Sequence, residues 1–133
     1  MTVIVIRHNL PDRASPSLPV QLGRHEVICR DCSGMEEVRQ CLCQMQTQPE
    51  DWVVLELGEV DERQWTQQAV AFGAALDQLS ASYIEVQDAA GVDLQERLHL
   101  QHAPAAVVVD RRDAQGGYPL SLGIIAHRIA VEA

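Results

Sequence analysis

The chain has 133 residues, 47 % of them apolar, with nineteen acidic side chains against ten basic ones and a formal net charge of −9. That length suits one domain, able to bury about two-thirds of the unfolded chain's surface without a disulfide or metal staple. The acidic balance argues against nucleic acid and anionic membrane as partners, and no apolar run approaches the length of a membrane span.

All the basic side chains are arginines. Lysine Schiff-base chemistry, lysine general bases and Walker-type phosphate binding are therefore excluded. The N-terminus, M-T-V-I-V-I-R-H, places its apolar run before its charges. A secretory signal needs the reverse order and a longer core, so the segment reads as a buried strand of a cytoplasmic protein.

In chain order, Val3 to Ile6 is a β-branched run suited to a strand covered on both faces. A segment with three prolines, L-P-D-R-A-S-P-S-L-P-V-Q-L-G-R, follows without helical periodicity. A parallel crossover normally carries a helix, so residues 10–24 read as an exposed loop. It starts at the carboxyl end of a strand, where ligands gather in such sheets. It is either a lid or a plain connection. His25 to Arg30 is the second strand. Ser33 precedes Glu36 by three residues, a capping-box signal, and Met35, Val38, Leu42 and Met45 give a helix one apolar face. Pro49 is expected to end that helix.

Trp52 to Leu57 is the third strand. Trp65, Ala69, Phe72, Leu76 and Leu79 recur at helical spacing. Tyr83 to Val86 and Ala105 to Val109 are the fourth and fifth strands. Pro119 suits a helix start, with Leu122, Ile125 and Ile129 on its inner face. This alternation implies an α/β fold in a single domain, residues 1–133, built on a parallel sheet.

Several segments, taken in order, resemble the type II 3-dehydroquinate dehydratases, lyases of the shikimate and quinate pathways. Asn9-Leu10 resembles the asparagine-leucine pair of N-G-P-N-L. Arg30 and Ser33 to Glu37 resemble R-Q-S-N-H-E-G-E. Asp51, Val54 and Gly58 keep the register of D-G-I-V-I-N-P-G, and Ile84-Glu85-Val86 matches the start of I-E-V-H-L-S-N. Glu96, Leu98 and His99 fall near R-E-x-F-R-H-H-S, and Gly117, Tyr118, Leu120 and Leu122 match G-Y-x-L-A-L. The resemblance spans nearly the whole chain with the first crossover helix missing. It implies a flavodoxin-like three-layer sandwich with five parallel strands in order 2-1-3-4-5. It also implies homo-oligomers, trimers packed into dodecamers.

The departures fall on the chemistry. The family's enzymes remove a proton beside a carbonyl with a loop tyrosine held near an arginine, then eliminate water with help from a histidine. Here Leu22-Gly23 stands where Tyr-Gly is expected, although Arg13 keeps the loop arginine. Gln87 replaces the histidine and cannot titrate. Asp88, Ala89 and Ala90 replace Leu-Ser-Asn, and Glu56 replaces a binding asparagine. Acids at Glu56 and Asp88 disfavour an anionic substrate. The expectation is a degenerate, catalytically inactive member acting as a binding or structural subunit, with no cofactor. Its remnant pocket for a small polar ligand would draw on Asn9, Arg13, Glu56, Gly58, Glu85, Gln87, Asp88, His99 and His102.

Two alternatives stay open. An active lyase would need a relocated base such as Glu56, Glu59 or Glu62. A metal-binding protein would use His99, His102 and nearby carboxylates, although polar surface around a turn is the plainer account of those histidines. Cys29, Cys32, Cys41 and Cys43 lie close in sequence. Cys29 is expected inside a buried strand, and Cys41 and Cys43 point about 200° apart on a helix. They read as incidental thiols rather than as zinc ligands or disulfides. His127 reads as half-buried packing, Trp52 and Trp65 as core. The charge run Asp110 to Asp113 reads as a solvated turn or an anion contact.

Overall fold

The computed structural model describes residues 1–8, 18–57, 60–87, 94–98, 100–109 and 117–132. Six strands form one sheet: β1 (Thr2–His8), β2 (Gln21–Leu22), β3 (His25–Cys32), β4 (Trp52–Glu56), β5 (Ser82–Gln87) and β6 (Ala106–Val109). The helices are α1 (Met35–Gln44), α2 (Glu62–Asp77), the single turn α3 (Leu94–Leu98) and α4 (Gly117–Glu132). The sheet order is β2-β3-β1-β4-β5-β6, and every pairing except β2 with β3 is parallel. The five expected strands are all present in the expected relative order. The sixth, β2, is a correction to the five-stranded expectation.

Gly23 explains that extra strand. It takes φ 61° in a two-residue turn that folds Gln21 and Leu22 back onto Glu26 and His25. Only glycine adopts that backbone without a steric penalty. The hairpin is closed further by Val27 N–H donating to Val20 O at 2.9 Å. Two residues are too short to show an alternating pattern, so this strand leaves no periodic signal.

Successive side chains of a strand point to opposite faces, and the two faces have separate cores. Ile6, Val53, Leu55 and Tyr83 pack with Met35, Val38 and Leu42 of α1 and with Trp65, Phe72 and Leu76 of α2. Val3, Val5, Val54, Ile84, Val86 and Val108 pack with Tyr118, Leu122 and Ile125 of α4. No helix crosses between β1 and β3 among the described residues. Leu18 and Leu22 instead lean on the α4-side core. Cys29 on that side of β3 is exposed, contrary to the buried position expected for it.

Local chemistry sets the helix ends. Asp61 caps α2, accepting from Gln64 N–H at 2.9 Å. At α1 the cap is shifted by one residue from the expected box. Gly34 is the N-cap, and Ser33 donates its N–H and O–H to Glu37 rather than pairing with Glu36. The helix stops at Gln44, well before Pro49, because Met45 turns extended at ψ 130°. Buried Asp51 fastens the amino end of β1. Its carboxylate accepts from Thr2 N–H and Gln48 N–H, each at 2.9 Å, and lies 3.8 Å from the terminal ammonium. Trp52 and Trp65 are core residues as expected, whereas His127 is exposed. It sits two positions beyond the inward Ile125, about 200° around the helix.

Candidate functional site

Buried Arg7, His8, Glu56 and Glu85 lie toward the carboxyl ends of the central strands, where β1 is flanked by β3 and β4. Parallel sheets of this kind bind ligands at such a change of strand order. The β1 run that reads as pure core ends in Arg7 and His8, which are 1 % and 6 % exposed.

Arg7 sits in a row across three strands. Its Cα partners are Asp31 on β3 and Glu56 on β4. All three side chains point to the α4 face. Arg7 Nη1 lies 3.5 Å from Asp31 Oδ1, and the Asp31 side chain is open to solvent. Glu56 is fully buried, and Tyr118 donates its hydroxyl to the Glu56 carboxylate. A buried carboxylate is tolerable only with a cation or donors beside it. Arg7 and Tyr118 supply both. Glu56 was expected to repel an anionic ligand from an open pocket. It is instead sealed under α4, accepting from Tyr118, with Arg7 as its register partner on the neighbouring strand.

Gly117 fixes how closely α4 approaches. A Cβ there would lie 2.7 Å from Val86 Cγ1. The absence of a side chain lets the first turn of α4 sit directly on β5 and brings the Tyr118 hydroxyl to Glu56. The G-Y pair is thus a packing and hydrogen-bonding device.

On the opposite face, Glu85 is 2 % exposed. Its Oε1 accepts from Gln87 Nε2 at 2.9 Å and from Leu94 N–H at 3.1 Å, which anchors the first residue of α3. Gln87 therefore spends an amide hydrogen on a carboxylate two residues back. His8 also faces this side, and its Nδ1 meets Leu57 O at 2.9 Å. A carbonyl only accepts, so Nδ1 carries a proton and Nε2 is the nitrogen left to face outward from that bond. Among the described residues His8 is the one imidazole brought to this end of the sheet. Sequence reading missed it because His8 is the last residue of an apolar strand.

Other expected residues are placed elsewhere. His102 lies at the amino end of β6. Its carbonyl accepts from Tyr83 O–H at 2.6 Å, its N–H donates to Asp77, and its ring stands edge-on to Tyr83 at 5.1 Å. Burial, with Glu85 and Asp77 nearby, pushes the Tyr83 hydroxyl pKa up. His102 is thus at the opposite end of the sheet from Glu56 and Gln87. Leu22, which stands where the loop tyrosine was expected, pairs with His25 at the amino end of β3. That is about 20 Å from the carboxyl edge. Glu62 is exposed in the first turn of α2, and Arg97 holds its carboxyl below the usual range. Asn9, Arg13, Gly58, Glu59, Asp88, His99 and Asp110 to Asp113 lie outside the described residues. Among the described residues no group of three His, Cys, Asp or Glu side chains is arranged to hold a metal ion. No helix there is long and apolar enough to cross a membrane.

Compared with known proteins, the chain matches no family model, no curated protein and no solved structure.

Proposed function

We propose that this chain is a flavodoxin-like, cytoplasmic relative of the type II 3-dehydroquinate dehydratases that has lost the dehydratase reaction and serves as a binding or structural subunit. The observation that carries this reading is the Gln87–Glu85 hydrogen bond. It occupies the position where the resemblance expects an acid–base histidine, and it holds an amide that cannot exchange a proton. The internal partners of Glu56 and Glu85 support the same reading, because a carboxylate sealed by Tyr118, or by Leu94 N–H, is committed to the fold. Exposed Val107 and Val109 on the edge strand β6, 45 % and 51 % accessible, support an assembly that covers them.

A second reading keeps catalysis and is favoured by one observation, the oriented His8 ring. In it, His8 Nε2 serves as the relocated base of an active lyase, in place of Glu56 or Glu62. The two readings part in an assay with 3-dehydroquinate, followed by the ultraviolet absorbance of the enone product beside an authentic dehydroquinase. The proposal expects no rate, since losing a base and an acid each removes about 10²–10⁴-fold. A rate abolished by His8→Asn would establish the second reading. Native mass spectrometry tests the assembly, and a monomer at micromolar concentration would contradict it.

A further inference from the structure

A cleft of about 520 Å³ lies at the amino ends of the strands, the opposite end of the sheet from the Arg7 row. Its walls are mainly apolar: Met1 ahead of β1, Pro49 ahead of β4, Trp52 at the start of β4 and Ile129 in the last turn of α4. Arg24 and Glu50 also line it, both exposed and opposite in charge. The terminal ammonium beside them lies 3.8 Å from Asp51. The cleft thus offers no net charge to select an ion.

The buried polar member of this lining is His25, 3 % exposed at the start of β3. Its Nε2 meets Glu50 O at 3.2 Å. A carbonyl only accepts, so Nε2 carries a proton. Nδ1, the other ring nitrogen, is buried with no hydrogen-bond partner among the described residues. Buried polar atoms are normally paired, so an orphan in the wall of an apolar cleft points to a ligand.

We infer that this cleft binds a small uncharged aromatic alcohol, a phenol or a naphthol, whose hydroxyl pairs with His25 Nδ1. Three observations set that class. The volume admits one or two fused rings, and the apolar walls bury them. The balanced charges of Arg24 and Glu50 suit a neutral molecule. A hydroxyl both donates and accepts, so it satisfies Nδ1 whether or not that nitrogen carries a proton. Met1, 56 % exposed and unbranched, is the wall residue that gives way to let the hydroxyl reach the covered nitrogen. The site is separate from the carboxyl edge of the sheet and does not depend on catalysis there.

The test uses the full chain with isotope-labelled histidine nitrogens and 2-naphthol as the probe, at neutral pH, where that probe is uncharged. Titration should move the His25 Nδ1 resonance saturably and leave the ring of His8, at the other end of the sheet, unmoved. In isothermal titration naphthalene, which lacks the hydroxyl, should bind at least about tenfold more weakly, and anionic 2-naphthoate no more tightly than 2-naphthol. His25→Gln keeps an amide hydrogen for Glu50 O and removes Nδ1. It should lose about tenfold in affinity for 2-naphthol with little change for naphthalene. A His25 Nδ1 signal that does not move in the wild-type chain, naphthalene binding as tightly as 2-naphthol, tighter binding of 2-naphthoate, or a folded His25→Gln variant that binds 2-naphthol as well as wild type would each overturn the assignment.

Discussion

Replacing Arg7 by methionine keeps the length and apolar stem of the side chain and removes only the cation. Arg7 is 1 % exposed and stands between Asp31 and the fully buried Glu56. Removing one member of a buried charge pair typically costs about 3–5 kcal/mol, because the remaining charge stays desolvated. Asp31 is open to water and loses little, whereas Glu56 in the same row is fully buried. Unfolding entropy near 2.1 cal/mol/K per residue over 133 residues converts this to a drop of about 10–18 °C in melting temperature. Urea unfolding, followed by the fluorescence of buried Trp52 and Trp65, measures the free energy directly. The double variant Arg7→Met/Glu56→Gln removes the stranded charge as well and should recover more than half of the loss. A single variant within about 1 kcal/mol of wild type, or a double variant no more stable than the single, would refute the charge row as a structural unit.

Gly117→Ala should destabilise by about 1–3 kcal/mol, because its Cβ meets Val86 Cγ1 at 2.7 Å. Adding Val86→Ala should make the alanine at 117 less costly in a double-mutant cycle, and additive losses would count against the close approach. Tyr118→Phe should cost about 1–3 kcal/mol in urea unfolding by removing a donor to buried Glu56, and a neutral result would place that hydroxyl outside the network. Glu37 is held below its usual value of 4.5 by the O–H and N–H of Ser33. Its folded pKa lies below the unfolded one, so its stabilisation is present above about pH 4.5 and is lost as the pH falls through the folded value. Glu37→Gln should therefore lose less melting temperature than wild type between about pH 5 and pH 3, and parallel curves would contradict the cap.

The sheet and its main helices were legible because they are written in local patterns. The β-branched runs at Val3 and Trp52 and the spacing from Trp65 to Leu79 each specify an element without reference to distant residues. The site was less legible because it depends on register between strands. Arg7 and His8 look like the first charges after a core strand. Only the alignment of β1 with β3 and β4 places Arg7 between two acids and His8 against Leu57 O. Glu56 reads as a charge facing a ligand until Tyr118, from the far end of the chain, closes over it. Leu22 shows a limit of motif matching. Its position in the Leu-Gly pair suggested a loop near the chemistry, but the turn at Gly23 carries it to the other end of the sheet.

The central claim, that the carboxyl edge of this sheet holds structural rather than catalytic polar groups, is tested most directly under single-turnover conditions. Protein in large excess over 3-dehydroquinate, followed for hours by enone absorbance, detects rates far below those visible in ordinary turnover. The account predicts a trace that matches buffer, in wild type and in His8→Asn alike. An enone signal that scales with protein concentration and disappears in His8→Asn would contradict it, and would make His8 the base of a working lyase.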